Sequence, residues 1–147
     1  MSEVGTGALA VRQTIRIEAP RERVFALLTE VAQVPRWFPI TVFEPHLGGR
    51  VEVVRDGWHA EGEVIEFEPP RVVAYTWDWR NQPLGSRTEV RWELEEDGGG
   101  TLVRLSHIGF PEQAQRESHS GGWTYYGQRL KIVAEGGQPG PDRMGEV

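Results

Sequence analysis

The sequence predicts an α+β fold: an antiparallel sheet curled around one long C-terminal helix, with two short helices after the first strand. Three observations predict it. A lone period-two strand runs straight into a helix-period stretch, strands then follow with turn signals at short and regular intervals, and the last ordered part of the chain carries an apolar stripe at three- and four-residue spacing. A sheet apolar on one face and a helix apolar along one stripe must cover each other, and a sheet wrapped around the helix does so in two layers.

In the first strand, Leu9, Val11, Ile15 and Ile17 alternate with Arg12, Thr14, Arg16 and Glu18. The period changes at Pro20. Proline fits a first helical turn, Glu22 suits the positive end of the helix, and Val24, Leu27, Leu28 and Val31 follow at helical spacing. Pro35 opens a second short helical piece through Trp37 and Phe38, which Pro39 ends. Strands are expected at 40–43, 50–55, 58–68, 71–79, 87–96 and 101–108, separated by Gly48-Gly49, Asp56-Gly57, Pro69-Pro70, the turn 81–86 and Gly98-Gly99-Gly100. In 58–68, Ile65 and Phe67 have the opposite parity to Trp58, Ala60, Gly62 and Val64, so a β-bulge is expected between Gly62 and Ile65. Trp123, Tyr126, Leu130 and Val133 mark the terminal helix, with Gly121-Gly122 before it as a flexible rim. This reading divides the chain into a disordered N-terminus (1–8), one domain (9–135) and a flexible, Gly- and Pro-containing tail (136–147).

Composition removes several function classes. The 147 residues carry 16 basic and 22 acidic side chains, a net charge of −6, so no nucleic-acid partner is expected. With no cysteine there is no disulfide, thiolate metal site or cysteine nucleophile. No apolar run is long enough for a membrane span and no secretory leader is visible, so no membrane insertion and a cytoplasmic location are expected. There is no Gly-x-Ser-x-Gly elbow, P-loop or dinucleotide fingerprint, and no cofactor is expected.

The remaining candidates are weighed residue by residue. His59-Ala60-Glu61-Gly62-Glu63 puts a histidine and two carboxylates on one strand face, but His-x-Glu is common and an edge strand favours charge anyway, so no metal is expected. Glu44, Glu66 and Asp78 read as surface carboxylates. The odd series Arg87, Glu89, Arg91, Glu93 and Glu95 reads as a solvated outer face with cross-strand partners. His107 faces inward by parity. It is either a core histidine held by a neighbour or a polar group offered to a ligand, as hydrogen-bond donor or general acid/base. His119 reads as a helix-start or solvent residue. Six Trp, three Tyr and five Phe are many for this length. They are either a tightly packed core or the lining of an apolar hollow.

An ordered set of motifs adds a family resemblance. Ile15-Arg16-Ile17-Glu18-Ala19-Pro20 with Val24-Phe25-Ala26-Leu27-Leu28-Thr29, then Gly62–Pro70, Tyr75-Thr76-Trp77, Leu105–Phe110 and Gly122–Tyr126 resemble, in order and spacing over residues 9–135, bacterial members of the family named after the activator of the heat-shock-protein-90 ATPase. These belong to the START-like (SRPBCC) superfamily, whose helix-grip fold is shared with the major birch pollen allergen and with polyketide cyclases. The resemblance implies a cavity between sheet and terminal helix that takes a small apolar or amphipathic molecule, aromatic or lipid-like, and it implies no shared catalytic set. The residues expected to line it are Trp37, Trp58, Phe67, Tyr75, Trp77, Trp92, His107, Trp123 and Tyr126, with His107 and Tyr126 as polar anchors. A cyclase- or aromatase-like enzyme on the same scaffold is the alternative, and a protein-interaction module related to co-chaperones the second. A chaperone partner is not expected. In the eukaryotic co-chaperone that action needs a further N-terminal domain with an Asn- and Trp-rich motif; Met1–Ala10 is too short to hold such a domain, and Trp58-His59 lacks the preceding asparagines.

Overall fold

The computed structural model describes residues 9–144; the stretch 1–8, expected to be disordered, and residues 145–147 lie outside the described residues. Seven strands form one antiparallel sheet in the order β1-β7-β6-β5-β4-β3-β2. They are β1 (Ala10–Ile17), β2 (Ile40–Phe43), β3 (Arg50–Arg55), β4 (Trp58–Glu68), β5 (Val72–Trp79), β6 (Thr88–Asp97) and β7 (Gly100–Ile108). Helix α1 (Arg21–Thr29) and a 3-10 turn (Val34–Arg36) connect β1 to β2, and α2 (Gln113–Ala134) lies across the inner face. Strands β2 to β7 form a meander with short connections, while β1 closes against β7 through eight paired residues from Ala10↔Ile108 to Ile17↔Thr101.

Alternation decides the faces. In β6, Thr88, Val90, Trp92 and Leu94 point into the core. Their neighbours pair outward: Arg91 with Glu66 and Glu93, Arg104 with Glu95, Arg16 with Asp97. These pairs are half-exposed and contribute about 0–1 kcal/mol each. The bulge sits inside the expected interval, because the β4–β5 register slips between Val64↔Tyr75 and Glu66↔Ala74. Two residues before it, β4 comes so close to β5 that a Cβ on Gly62 would lie 1.8 Å from the Thr76 carbonyl oxygen. Gly62→Ala should therefore destabilise the fold by about 3 kcal/mol in urea unfolding, since the strands would have to separate; a change within ~0.5 kcal/mol would refute this close approach.

One expectation is corrected, the flexible rim at Gly121-Gly122. The terminal helix begins at Gln113, ten residues before Trp123, and passes through Gly121 and Gly122 without a break. Glycine costs about 1 kcal/mol per helical position relative to Ala, but burial of Trp123, Tyr126, Leu130 and Val133 holds the helix against the sheet. Gly127 has a packing reason: a Cβ there would come 2.7 Å from Ile15 Cδ1, where α2 crosses β1. Residues 136–144, expected as part of a flexible tail, run back along the domain as a strap. The Arg129 side chain, largely buried, donates from one terminal nitrogen to the carbonyls of Gly140 (3.0 Å) and Pro141 (3.4 Å) and from Nε to the carbonyl of Trp37 (3.1 Å). The Arg143 amide donates to Tyr125 Oη at 2.7 Å. This strap lies on the domain because its carbonyls and Asp142 meet partners on α2 and β3.

Candidate ligand cavity

The core is not filled to its end. Between the β3–β5 half of the sheet and the N-terminal half of α2 lies a cavity of about 560 Å³, partly open to solvent. The sheet contributes Val53 and Arg55 from β3, Trp58 from β4, and Trp77 and Trp79 from β5. Helix α2 contributes Gln115, Ser118, His119, Gly122, Trp123 and Tyr126; Phe38 follows the 3-10 turn, and Met144 comes from the strap. Aromatic rings dominate the wall. Phe38 stacks on Trp123 (centroids 5.5 Å) and meets Tyr126 edge-on (4.9 Å), while Trp77 stands perpendicular to Trp79 (5.5 Å).

The polar atoms behind this wall are arranged in two chains. An indole N–H can only donate, so its partner must accept. Trp123 Nε1 donates to His107 Nδ1 (3.0 Å), which leaves the proton of a neutral imidazole on Nε2. His107 Nε2 then donates to Thr88 Oγ1 (2.9 Å), and the Thr88 hydroxyl donates to the Trp77 carbonyl (2.5 Å). The second chain is similar. Trp79 Nε1 donates to His119 Nε2 (2.9 Å), and His119 Nδ1 donates to the Gln115 carbonyl (2.7 Å). Burial holds His107 well below the ordinary imidazole range, helped by the neighbouring His119. Burial lowers His119 too, opposed by its bond to Gln115. Both histidines therefore accept the indole protons, and Trp79 and Trp123 are left to show ring carbon to the cavity. Trp77 differs. Its buried Nε1 and the Oε1 of Gln115 have no hydrogen-bond partner among the described residues.

At the strap end stands a charged group. Asp142 Oδ2 accepts from Tyr126 Oη (2.7 Å) and from Arg55 Nε (3.1 Å), and Oδ1 accepts from the Met144 amide (2.9 Å). Burial would raise this carboxyl, but the bonds from Tyr126, Met144 and Arg55 outweigh it and keep it below its ordinary range. Burial, then the bond to the Asp142 carboxylate, pushes the Tyr126 phenol far up, so it stays a donor.

Of the nine side chains expected to line the hollow, Trp58, Trp77, Trp123 and Tyr126 border it. The other five do not. Trp37 is buried behind Phe38 with Nε1 on the Leu27 carbonyl (2.6 Å), Phe67 packs on Phe25 (5.7 Å), and Trp92 donates to Tyr75 Oη (3.1 Å) deep in the core. His107 is fully buried and reaches the cavity only through Trp123. It is the satisfied core histidine of the two readings, its partners an indole and a threonine. Among the bordering residues not anticipated are Phe38, Trp79, His119, Arg55 and Met144. Trp79 continued the alternation of Tyr75 and Trp77, a signal that was present; Arg55 and Met144 had none. His119 sits mid-helix rather than at a helix start, since the helix begins earlier. His59 bonds to Glu52 (3.2 Å) and Glu61 pairs with Arg80 (2.5 Å). The strand is not the edge strand expected from its charges, because β4 lies between β3 and β5, and its polar face is satisfied by side chains of those neighbours and the chain just after β5. Asp78 accepts from the amides of Trp79 and Leu84, both at 2.8 Å, fixing the β5–β6 loop.

The model of one protein family, described as Activator of Hsp90 ATPase homolog 1-like protein, matches residues 18–135. The chain belongs to this family. The AHSA1-like assignment agrees with solved structures. The Mesorhizobium loti protein MLL2253 is 27% identical with a TM-score of 0.76, covering 83% of this chain and 93% of that one. CalU16 from Micromonospora echinospora is 26% identical with a TM-score of 0.73, covering 86% and 76%. The Aha1 of Colwellia psychrerythraea, solved as a dimer, is 23% identical with a TM-score of 0.76, covering 87% and 97%, a likeness of fold. The search of curated proteins found no match. No helix among the described residues is long and apolar enough to cross a membrane. The AHSA1-like domain thus has the helix-grip architecture, with a hollow at one end of the grip.

Proposed function

We propose that this protein binds a small, largely apolar molecule with aromatic character in the cavity between β3–β5 and α2. The supporting observation is an unfilled volume of about 560 Å³ bordered by six aromatic side chains, Phe38, Trp58, Trp77, Trp79, Trp123 and Tyr126. Protein interiors are ordinarily packed to crystal-like density, so space of this size beside rings presenting their carbon faces favours a guest that stacks. Binding is favoured over proton-transfer catalysis because both nitrogens of His107 and of His119 are engaged, which leaves neither histidine with a free base at the wall.

The test uses Gly122, which faces the cavity from α2 and where an added Cβ would meet nothing within 4 Å. Gly122→Phe should fill the hollow, leave circular dichroism unchanged and abolish binding of pyrene-type fluorescent probes. The wild type should show Trp quenching and a melting temperature that rises with probe concentration, as mass action requires. Equal probe binding by both forms would move the ligand elsewhere and sink the reading.

A further inference from the structure

We propose that Arg55 and Tyr126 form an anion subsite at the rim of this cavity, occupied in the free protein by the strap's own Asp142, and that the favoured ligand is an apolar monocarboxylate whose carboxylate displaces Asp142. The inference rests on the cavity reading above. Three observations carry it. The Arg55 and Tyr126 side chains both border the cavity, and both donate to a single oxygen, Asp142 Oδ2. That is the geometry one carboxylate oxygen of a guest requires, with charge-assisted bonds on it. Second, among the described residues bordering the cavity Arg55 is the only cation, because His119 is held neutral. An anionic group entering the cavity has no other charged donor to find. Third, the present occupant arrives on a separate piece of chain. The strap meets the rest of the domain through Arg129 and Tyr125 on α2, and through Asp142 itself on β3 and α2. Met144, two residues further along, borders the same cavity.

Asp142 therefore behaves as a tethered competitor. Removing it leaves Arg55 Nε and Tyr126 Oη pointing at an empty position, while the other face of Arg55 keeps its 3.1 Å contact with the exposed Asp56. The apparent affinity for a carboxylate guest is lowered by the fraction of time Asp142 is seated, and that fraction is high because a tether holds the competitor at high local concentration. A guest with the same body and no charge does not compete for the subsite.

The experiment compares 1-pyrenebutyrate with the uncharged 1-pyrenebutanol by fluorescence titration, at constant ionic strength, on the full chain. Asp142→Ala should bind pyrenebutyrate about tenfold more tightly than the wild type, with pyrenebutanol changed less than about twofold. Asp142→Asn, which keeps the size of the side chain, should show the same preference in smaller measure. Arg55→Met should remove the preference for the acid in either background. An equal gain for both probes would make the strap a steric lid and overturn the subsite, as would no gain or a loss for the acid. Tight pyrenebutanol binding to the wild type with any of these outcomes sinks the subsite alone, whereas no binding of either probe to any form sinks the cavity reading with it.

Discussion

Trp123→Ala should lower the unfolding free energy by about 4 kcal/mol, the upper range for truncating a buried aromatic residue. Trp123 is 4% exposed, stacks on Phe38, meets Trp92 edge-on at 5.7 Å and lies 5.8 Å from Trp77. Its loss opens the inner wall of the cavity into the core and leaves His107 Nδ1 without its donor. Trp58 is the internal comparison. It borders the same cavity but is 46% exposed, so Trp58→Ala should cost no more than about 1 kcal/mol while still weakening probe binding. Urea midpoints at constant m-value separate the two. Similar midpoints for both variants would mean that Trp123 is not the joint between core and cavity.

The second large effect is a loss of stability in mild acid, before the carboxylates titrate. Burial depresses His107 and His119 below the ordinary imidazole value of 6.5. In the unfolded chain these rings take up protons as the pH falls through 6.5, while in the folded protein they do not. The unfolded state therefore binds more protons, and stability is lost as pH falls from that value towards the folded ones. Each ring contributes a slope of at most about 1.4 kcal/mol per pH unit. Protonation of the folded form would in addition set an imidazolium N–H against the indole N–H of Trp123 or Trp79 and break that hydrogen bond. The Asp142, Glu61 and Glu66 carboxyls, depressed in the fold by their hydrogen-bonding partners, lose their contribution only further down, as the pH falls below their own unfolded range. Denaturant unfolding between pH 6.5 and 5 should thus show falling stability, and His119→Gln should reduce the slope. A flat profile over that interval would contradict the neutral histidine pairs.

Much of this architecture follows from local pattern. The parity of Val90, Trp92 and Leu94 against Arg91 and Glu93 placed one face of β6 inside before any partner strand was known, because a strand has only two faces. The parity break at Ile65 located the bulge for the same reason. Inward-facing His107 was legible in this way too, but its partners were not. Thr88 and Trp123 lie 19 and 16 residues from it in the chain and meet it only through the β6–β7 register and the packing of α2.

What the sequence by itself determined is the order of elements and the side of each strand that is buried, since both depend on alternation among neighbouring residues. What only the tertiary structure decided is which buried rings fill space and which border it. Trp92 and Trp77 carry the same local pattern, yet one is sealed against Tyr75 and the other faces a hollow. That difference depends on where the curled sheet parts from α2. The same holds for the strap, where Arg55 and Asp142 meet across 87 residues. An ion pair of that separation leaves no period in the sequence, because it is created by the closure of the fold around it.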